Sequence, residues 1–363
     1  MCADGRPRAS SAASDLSPMR TEPAPRFRDR AARRMTGRAV VPPYPSRVDL
    51  HTHSRRSDGV LEPRELVSAA AAAGVRVLAL ADHDTLAGVR ELCAAGSPDL
   101  PLTLLPGVEI NSVAAGIDGL WEGELHILGL GIDPDDETFE SVLDRQRRLR
   151  ETRFAMIVER LRNLGMPVDP SAAASTAEAG SSLGRPQIAR MLVQAGHAES
   201  VDAAMKEVLA RGKPGYVARQ GIGPQAAIAA IRGAGGLPVL AHFADAPTRR
   251  DLVAELVGFG LGGLEVHYRH FDADTVADMA TVAASLRLVS TGGSDYHGDG
   301  ESYAEAHATI FVPDQDATSL FEALDRPLAA STFSPISTLG PISTLGPIST
   351  AAPTAKSGSG VPS

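Results

Sequence analysis

Nine residues able to ligate a metal fall in a fixed order along this chain, and almost all of them follow a hydrophobic run. They are His51 and His53 in Asp-Leu-His-Thr-His, Asp58 in Ser-Asp-Gly, His83 in Ala-Asp-His-Asp, Glu109 in Gly-Val-Glu and His126 in Leu-His-Ile-Leu. His242 in Val-Leu-Ala-His follows, then Asp295 and His297 in Gly-Ser-Asp-Tyr-His-Gly. Six of the chain's 10 histidines are in this set. Imidazole and carboxylate without thiolate suit Zn, Mn or Fe held for Lewis-acid chemistry rather than a structural zinc knot. Nine ligands exceed the needs of one ion, so the set implies a cluster of two or three divalent ions. That is the pattern of a multinuclear metal hydrolase.

The spacing carries part of this reading. Side chains on an extended segment alternate, so His-x-His points both imidazoles to one side. A lone His-x-His is common by chance; joined to Ser-Asp-Gly five residues on, it is far more specific. Asp49 is either a carboxylate that orients an imidazole or a cap at a strand end. Asp82 and Asp84 flank His83 at an apolar strand end, where buried charge without a cation is costly. The plainer alternative there is a helix N-cap by Asp84 beside a core histidine. No Ser or Cys stands beside a base in these motifs, which favours direct hydrolysis over a covalent intermediate.

The elements that must position these groups alternate. Short apolar runs at residues 47–50, 75–80, 102–110, 125–132, 237–241, 263–267 and 287–291 are the near-continuous strands of a parallel sheet covered on both faces. Helices at 63–73 and 224–232 open on proline and close on glycine. Such alternation predicts an α/β fold. Ligands at successive strand ends fit a β/α barrel, whose strand ends converge on one face. His126 lies inside its run and fits less simply. From 137 to 220 there is only helical periodicity. Its long first helix has an apolar stripe and an Arg/Glu face, and helices at 186–195 and 201–210 follow, so the stretch reads as an insertion over the barrel mouth.

The chain has 363 residues and is 43% hydrophobic and only 4% aromatic, so its core is aliphatic. Residues 1–45 hold nine arginines against four acids, about +5, which leaves about −14 for the rest of a chain whose net charge is −9. A body that acidic is a poor binder of long duplex nucleic acid. The first 45 residues read as a disordered basic tail, with Met35 as an alternative start. Residues 337–342 and 343–348 repeat Ser-Thr-Leu-Gly-Pro-Ile, and 332–363 reads as a low-complexity tail. Between the tails, 46–136 and 221–331 are the two parts of the barrel, interrupted by 137–220. Two cysteines make no disulfide framework, no run reaches the roughly 18 apolar residues of a membrane span, and no signal segment opens the chain. The expected location is the cytoplasm.

Taken together, the motifs resemble those of the polymerase and histidinol phosphatase (PHP) family. They are most similar to its bacterial branch of nucleotide phosphoesterases and short-RNA trimming enzymes. The resemblance covers residues 48–326. It implies a distorted seven-stranded β/α barrel with a trinuclear site. His51, His53, Glu109 and Asp295 would hold one ion. Glu109 would bridge to a second ion held by His126 and His242, and Asp58, His83 and His297 would hold the third. Glu109, Asp295 and His242 are the residues expected to carry catalysis. In such a site two ions bind phosphate oxygens and activate a bridging water for in-line attack, and a third offsets charge on the phosphoryl oxygens. The leaving alkoxide then needs a proton or a positive neighbour, and His242 and His267 are the spatial candidates.

The substrate implied is a small nucleotide: a nucleoside 3′,5′-bisphosphate, a nucleoside monophosphate or the 5′ end of a short RNA. Alternatives are a histidinol-phosphate type of phosphatase, a 5′-3′ exonuclease, and a metal-bound regulatory module without catalysis. Arg185, Lys213 and His267 are the candidate substrate contacts, with Glu265, Arg269 and His270 clustered near His267. Gln187 and Phe243 stand where related enzymes often carry His and Pro. His197 and His307 read as structural.

Overall fold

A computed structural model describes residues 45–94, 100–114, 117, 120, 123–171, 180–298, 300–326, 328 and 332–333. The expected tails lie outside the described residues except for Pro45, Thr332 and Phe333. Seven strands form one sheet in chain order: β1 (Val48–Thr52), β2 (Val77–Leu80), β3 (Thr103–Val113), β4 (Glu124–Leu130), β5 (Leu237–Leu240), β6 (Gly263–Tyr268) and β7 (Val289–Gly293). Ten α-helices are described: α1 (Pro63–Ala72), α2 (Ala87–Ala94), α3 (Glu137–Asn163), α4 (Arg185–Gln194), α5 (Val201–Ala203), α6 (Pro224–Gly233), α7 (Arg250–Gly258), α8 (Ala273–Leu286), α9 (Tyr303–His307) and α10 (Asp314–Ala323). A π-helical turn, Ala204–Leu209, continues α5.

The sheet curls until β1 meets β7. Asp49 fastens that seam: its carboxylate accepts bonds from Ser294 N (2.9 Å), Ser294 Oγ (2.7 Å) and Tyr303 Oη (2.8 Å). Asp295 N donates to His51 O (2.8 Å) and His53 N to Tyr296 O (3.1 Å). A Cβ on Gly293 would stand 2.5 Å from His51 Cβ, so only glycine lets the strands close this tightly. Asp49 therefore joins strands and touches no imidazole.

All seven expected strands are present, but they are not all parallel. β4 runs antiparallel to both β3 and β5. The link from β3 to β4 has no room for a crossover helix, so the two pair as a hairpin. The reversal accounts for His126. An antiparallel strand brings its beginning, not its end, to the rim where the other strands finish.

Side-chain alternation sorts the core. Val48, Leu50, Val77, Ala79, Leu105, Leu128 and Val239 pack with Ile310, Val312 and α10. Leu78, Leu80, Val108, Ile127, Leu240 and Leu264 pack with residues of α1, α2, α6, α7 and α8. The insertion has a small core of its own, built from Phe154, Ile157, Leu161, Leu183, Ile188, Leu192 and Leu209. No helix among the described residues is long and apolar enough to cross a membrane.

The first insertion helix departs from the expected charged outer face. Asp136 caps α3 through Phe139 N (2.7 Å), yet Arg147, Arg150 and Arg153 are buried. Arg150 Nε donates to Asp84 Oδ2 at 2.5 Å and Arg147 Nη1 to Asp84 O at 3.2 Å. Glu124 lies 3.9 Å from Arg153 and 2.9 Å from Arg219. Arginines at every third position follow the helical period, so periodicity alone cannot separate a solvated stripe from one that docks on buried carboxylates.

Candidate metal centre

The ligand-type residues converge at the barrel rim in three overlapping groups: His51, His53, Glu109 and Asp295; Glu109, His126 and His242; and His53, Asp58, His83 and His297. Glu109 is the hub. Its Oε2 lies 3.2 Å from His51 Nε2, 3.2 Å from His53 Nε2 and 3.1 Å from His83 Nδ1. Its Oε1 lies 2.7 Å from His126 Nδ1 and 3.0 Å from His242 Nε2. Asp58 faces the third group, with Oδ1 3.2 Å from His297 Nε2 and Oδ2 3.6 Å from His83 Nε2.

The donor set fits divalent cations on two counts. In the first group, five of the pairwise distances are 3.1 to 3.4 Å. A tetrahedron with such edges has its centre about 2 Å from each corner, the Zn–N and Zn–O distance. Secondly, Asp58 Oδ1, His83 Nδ1 and Asp295 Oδ1 are buried with no partner aligned for a hydrogen bond. Such atoms are rare in folded proteins unless an ion or water satisfies them.

Charge gives the same answer. Burial disfavours the charged form of His53, yet hydrogen bonds to Asp295 and Glu109 raise it to about 10. Burial likewise opposes the charge on His126, and the Glu109 carboxylate raises it to about 9. Burial pushes the acids upward, but the facing imidazoles hold Glu109, Asp58 and Asp295 well below the carboxylate range. Positive charge belongs among these carboxylates, whether carried by protons or by metal ions.

Backbone conformation aims several of these groups. Asp84 (φ 51°), His242 (φ 32°) and Asp295 (φ 48°) adopt left-handed conformations at strand ends beside the centre. Non-glycine residues held there store strain, which tends to cluster at functional sites. Glu265, buried in β6, accepts from His51 Nδ1 (3.0 Å) and from His242 N (2.6 Å). It thereby turns His51 Nε2 toward the centre, the usual role of a carboxylate behind a ligating imidazole. Asp82 takes Ser54 N, Ser54 Oγ and Ser57 Oγ, each at 2.7 Å, and so holds the loop that carries Asp58. Gln187 and Arg190 of α4 reach that loop too, bonding to the carbonyls of Ser57 and Asp58.

A cavity of about 410 Å³ opens beside His126 and His242, between the barrel rim and the insertion. Arg185 lines it. Lys213 does not; it is exposed in a turn. His267 points elsewhere, its Nε2 2.9 Å from Asp316 Oδ2 of α10, which removes it from the leaving-group role. Arg269 pairs with Glu301, and His270 stands against Tyr268 with ring centroids 5.4 Å apart. His197 bonds to Pro167 O (3.1 Å) and His307 stacks on Tyr303 (5.6 Å). Asp84 does not cap α2; its side chain is taken by Arg150.

Several residues near the centre went unassigned in the sequence. Tyr268 Oη donates to Asp295 Oδ2 (3.1 Å) and its ring lies 5.4 Å from that of His242. Asn111 stands 2.6 Å from His126 Nε2 and accepts from Arg150. Glu265 had one legible signal, a carboxylate inside the apolar run Gly-Leu-Glu-Val; Tyr268 and Asn111 had none.

A seven-stranded, nearly closed barrel with this rim of His, Asp and Glu defines a class of metal-dependent hydrolases. A family model for the PHP domain matches residues 49–209. The chain is 35% identical over 258 residues to a 5′-3′ exoribonuclease of Haemophilus influenzae, covering 69% of this chain and 89% of that one. It is 33% identical over 277 residues to a 3′,5′-nucleoside bisphosphate phosphatase of Chromobacterium violaceum, covering 73% and 92%. A crystal structure from Bifidobacterium adolescentis, described as a metal-dependent phosphoesterase, superposes with a TM-score of 0.67 at 30% identity, over 80% of this chain and 99% of that one. The chain belongs to the PHP domain family.

Proposed function

We propose that this chain is a metal-dependent phosphoesterase that hydrolyses a phosphate ester of a small nucleotide. The observation that carries the reading is Glu109, whose two oxygens each face a different set of imidazoles. His51, His53, Glu109 and Asp295 would hold one ion, Glu109 with His126 and His242 a second, and Asp58, His83 and His297 a third. Mn, Zn or Fe suits these donors. When bound, such ions supply Lewis acidity toward phosphoryl oxygens and make water nucleophilic at neutral pH.

The chain's own groups do the rest. Glu265 holds His51 in the tautomer that presents a bare Nε2 to the centre. Ser57, the hydroxyl near His53, is buried and engaged by Asp82, out of a substrate's reach, which favours water as the attacking group. The P–O ester bond breaks as the water oxygen joins phosphorus, and the proton that the water gives up leaves with the alkoxide. The cavity beside His126 and His242 receives the body of the substrate, with Arg185 on its wall as a fork donor for phosphate. Its volume suits one nucleotide better than a duplex. The exposed free thiol of Cys93 is compatible with the reducing cytoplasm.

The test is a panel of phosphomonoesters, nucleoside 3′,5′-bisphosphates and 5′-phosphorylated oligoribonucleotides, offered to the Mn-loaded protein. Nucleotide esters should be turned over at least about tenfold more efficiently, as kcat/KM, than histidinol phosphate or sugar phosphates, a difference of about 1.4 kcal/mol. Absence of any hydrolysis product, phosphate or mononucleotide, from every member would sink the reading.

A further inference from the structure

The cavity beside the centre has charged side chains on its wall, Glu124, Asp202 and Asp245 as well as Arg185 and Lys206, but most of its open surface is apolar. Phe243, Leu120 and Leu125 from the barrel side and Met205 from the insertion line it, with His126 and His242 at the metal end. Lys206 and Arg185 supply cations elsewhere on the wall. Phe243 follows the strained His242 directly, and Ala246 N closes a turn on Phe243 O (3.0 Å). That turn leaves the Phe243 ring half-buried, one side packed on the core and one side on the cavity. Met205 reaches the cavity from the π-helical turn, an irregularity of the kind often found where a helix serves a site.

A substrate whose phosphate meets Glu109, His126 and His242 must lay its remaining body along this wall. Sugar hydroxyls laid against the apolar part of that wall would be stripped of water and find no partner there, which is costly. A planar ring would lose little, because both of its faces are content against apolar or aromatic neighbours. From this we infer that Phe243 is the specificity-determining residue of a nucleobase subsite, taking the base by stacking, with Met205 as the contact from the insertion. The inference rests on the phosphoesterase reading and names which part of the nucleotide is recognised. It also orders the bases: purines, with more stacking area, bind better than pyrimidines.

The experiment compares the full-length Mn-loaded wild type with Phe243→Leu and Phe243→Trp, using a purine nucleoside 3′,5′-bisphosphate and the ribose bisphosphate that lacks the base. Loss of one base–aromatic stack should raise KM for the nucleotide about tenfold in the leucine variant, with kcat within about twofold. KM for the base-free compound should not move, and the tryptophan variant should match wild type. A thermal melt of each variant separates packing loss from recognition, because a merely structural role would affect both substrates alike. An unchanged nucleotide KM in Phe243→Leu, or an equal rise for both compounds, overturns the inference. Equilibrium dialysis with the nucleoside monophosphate reads the same contact without turnover. A wild type that binds the nucleotide but releases no phosphate defeats the phosphoesterase reading and leaves the subsite standing. Equal binding by wild type and Phe243→Leu defeats the subsite.

Discussion

Among single residues, Glu109 is shared by the most imidazoles of the centre. Both of its oxygens are committed, so Glu109→Gln keeps the shape while weakening the donor to two groups of imidazoles at once. Outer partners of metal ligands cost 10–100-fold when removed, so this substitution should lower kcat/KM more than about 100-fold without unfolding the barrel. Near-wild-type turnover with full metal content would remove Glu109 from the bridging position. The protonation of the centre provides a second check. His53 and His126 are raised to about 10 and about 9 in the metal-free protein. Their folded values exceed the ordinary imidazole value near 6.5, so the stability they add is complete below that pH and is lost as pH rises through 9 to 10. The melting temperature of the metal-free protein should therefore fall across that window. That of the loaded protein should hold, since ions replace the protons. At pH 7 loading must expel protons, so its calorimetric enthalpy should vary with the ionisation heat of the buffer. A buffer-independent enthalpy would mean that the imidazoles were already neutral.

Among elements, the strands were legible and the insertion only in outline. Seven apolar runs, five of them with a ligand at the end, mark seven strands, because burial on both faces leaves an unbroken apolar signature. The direction of β4 was not legible, since a strand's run looks the same either way; only the short link from Val113 to Glu124 distinguishes a hairpin from a crossover. The nine candidate ligands stood out because imidazole and carboxylate are rare at apolar strand ends. Lys213 and His267 had no comparable signal. A lysine or histidine near a turn has the same local sequence whether it faces a cavity, solvent or Asp316. Arg185 is the candidate that does stand on the cavity wall. Replacing it with Ala should raise KM for a phosphorylated nucleotide about tenfold, the cost of one charge-assisted hydrogen bond, and leave metal content unchanged. Equal KM values across the substrate panel would take Arg185 out of the site.

For the molecule as a whole, the question is where the folded body ends. The sequence sets the low-complexity tail at 332, but Phe333 packs beside α10, accepts Arg47 Nη1 at its carbonyl (2.6 Å) and has that guanidinium 5.1 Å from its ring centroid. Composition could not reveal this, because one aromatic residue in a Ser/Thr/Pro stretch has no periodicity to announce it. A chain trimmed to residues 43–334 should therefore melt like the full-length protein and keep its turnover. One trimmed to 43–331 loses the Phe333 contact and should be about 1 kcal/mol less stable, a drop of a few degrees. Identical melting of the two trimmed chains would show that Phe333 adds nothing.

The central claim is that the nine residues at the rim form one multinuclear centre whose ions are required for phosphate ester hydrolysis. Its most direct test is phosphate release from a nucleoside 3′,5′-bisphosphate by chelator-treated protein, titrated with Mn. Release should start from the chelated baseline and rise with added ion, reaching its plateau at two or three equivalents per chain. A plateau at one equivalent, or release that chelation leaves untouched, would contradict it.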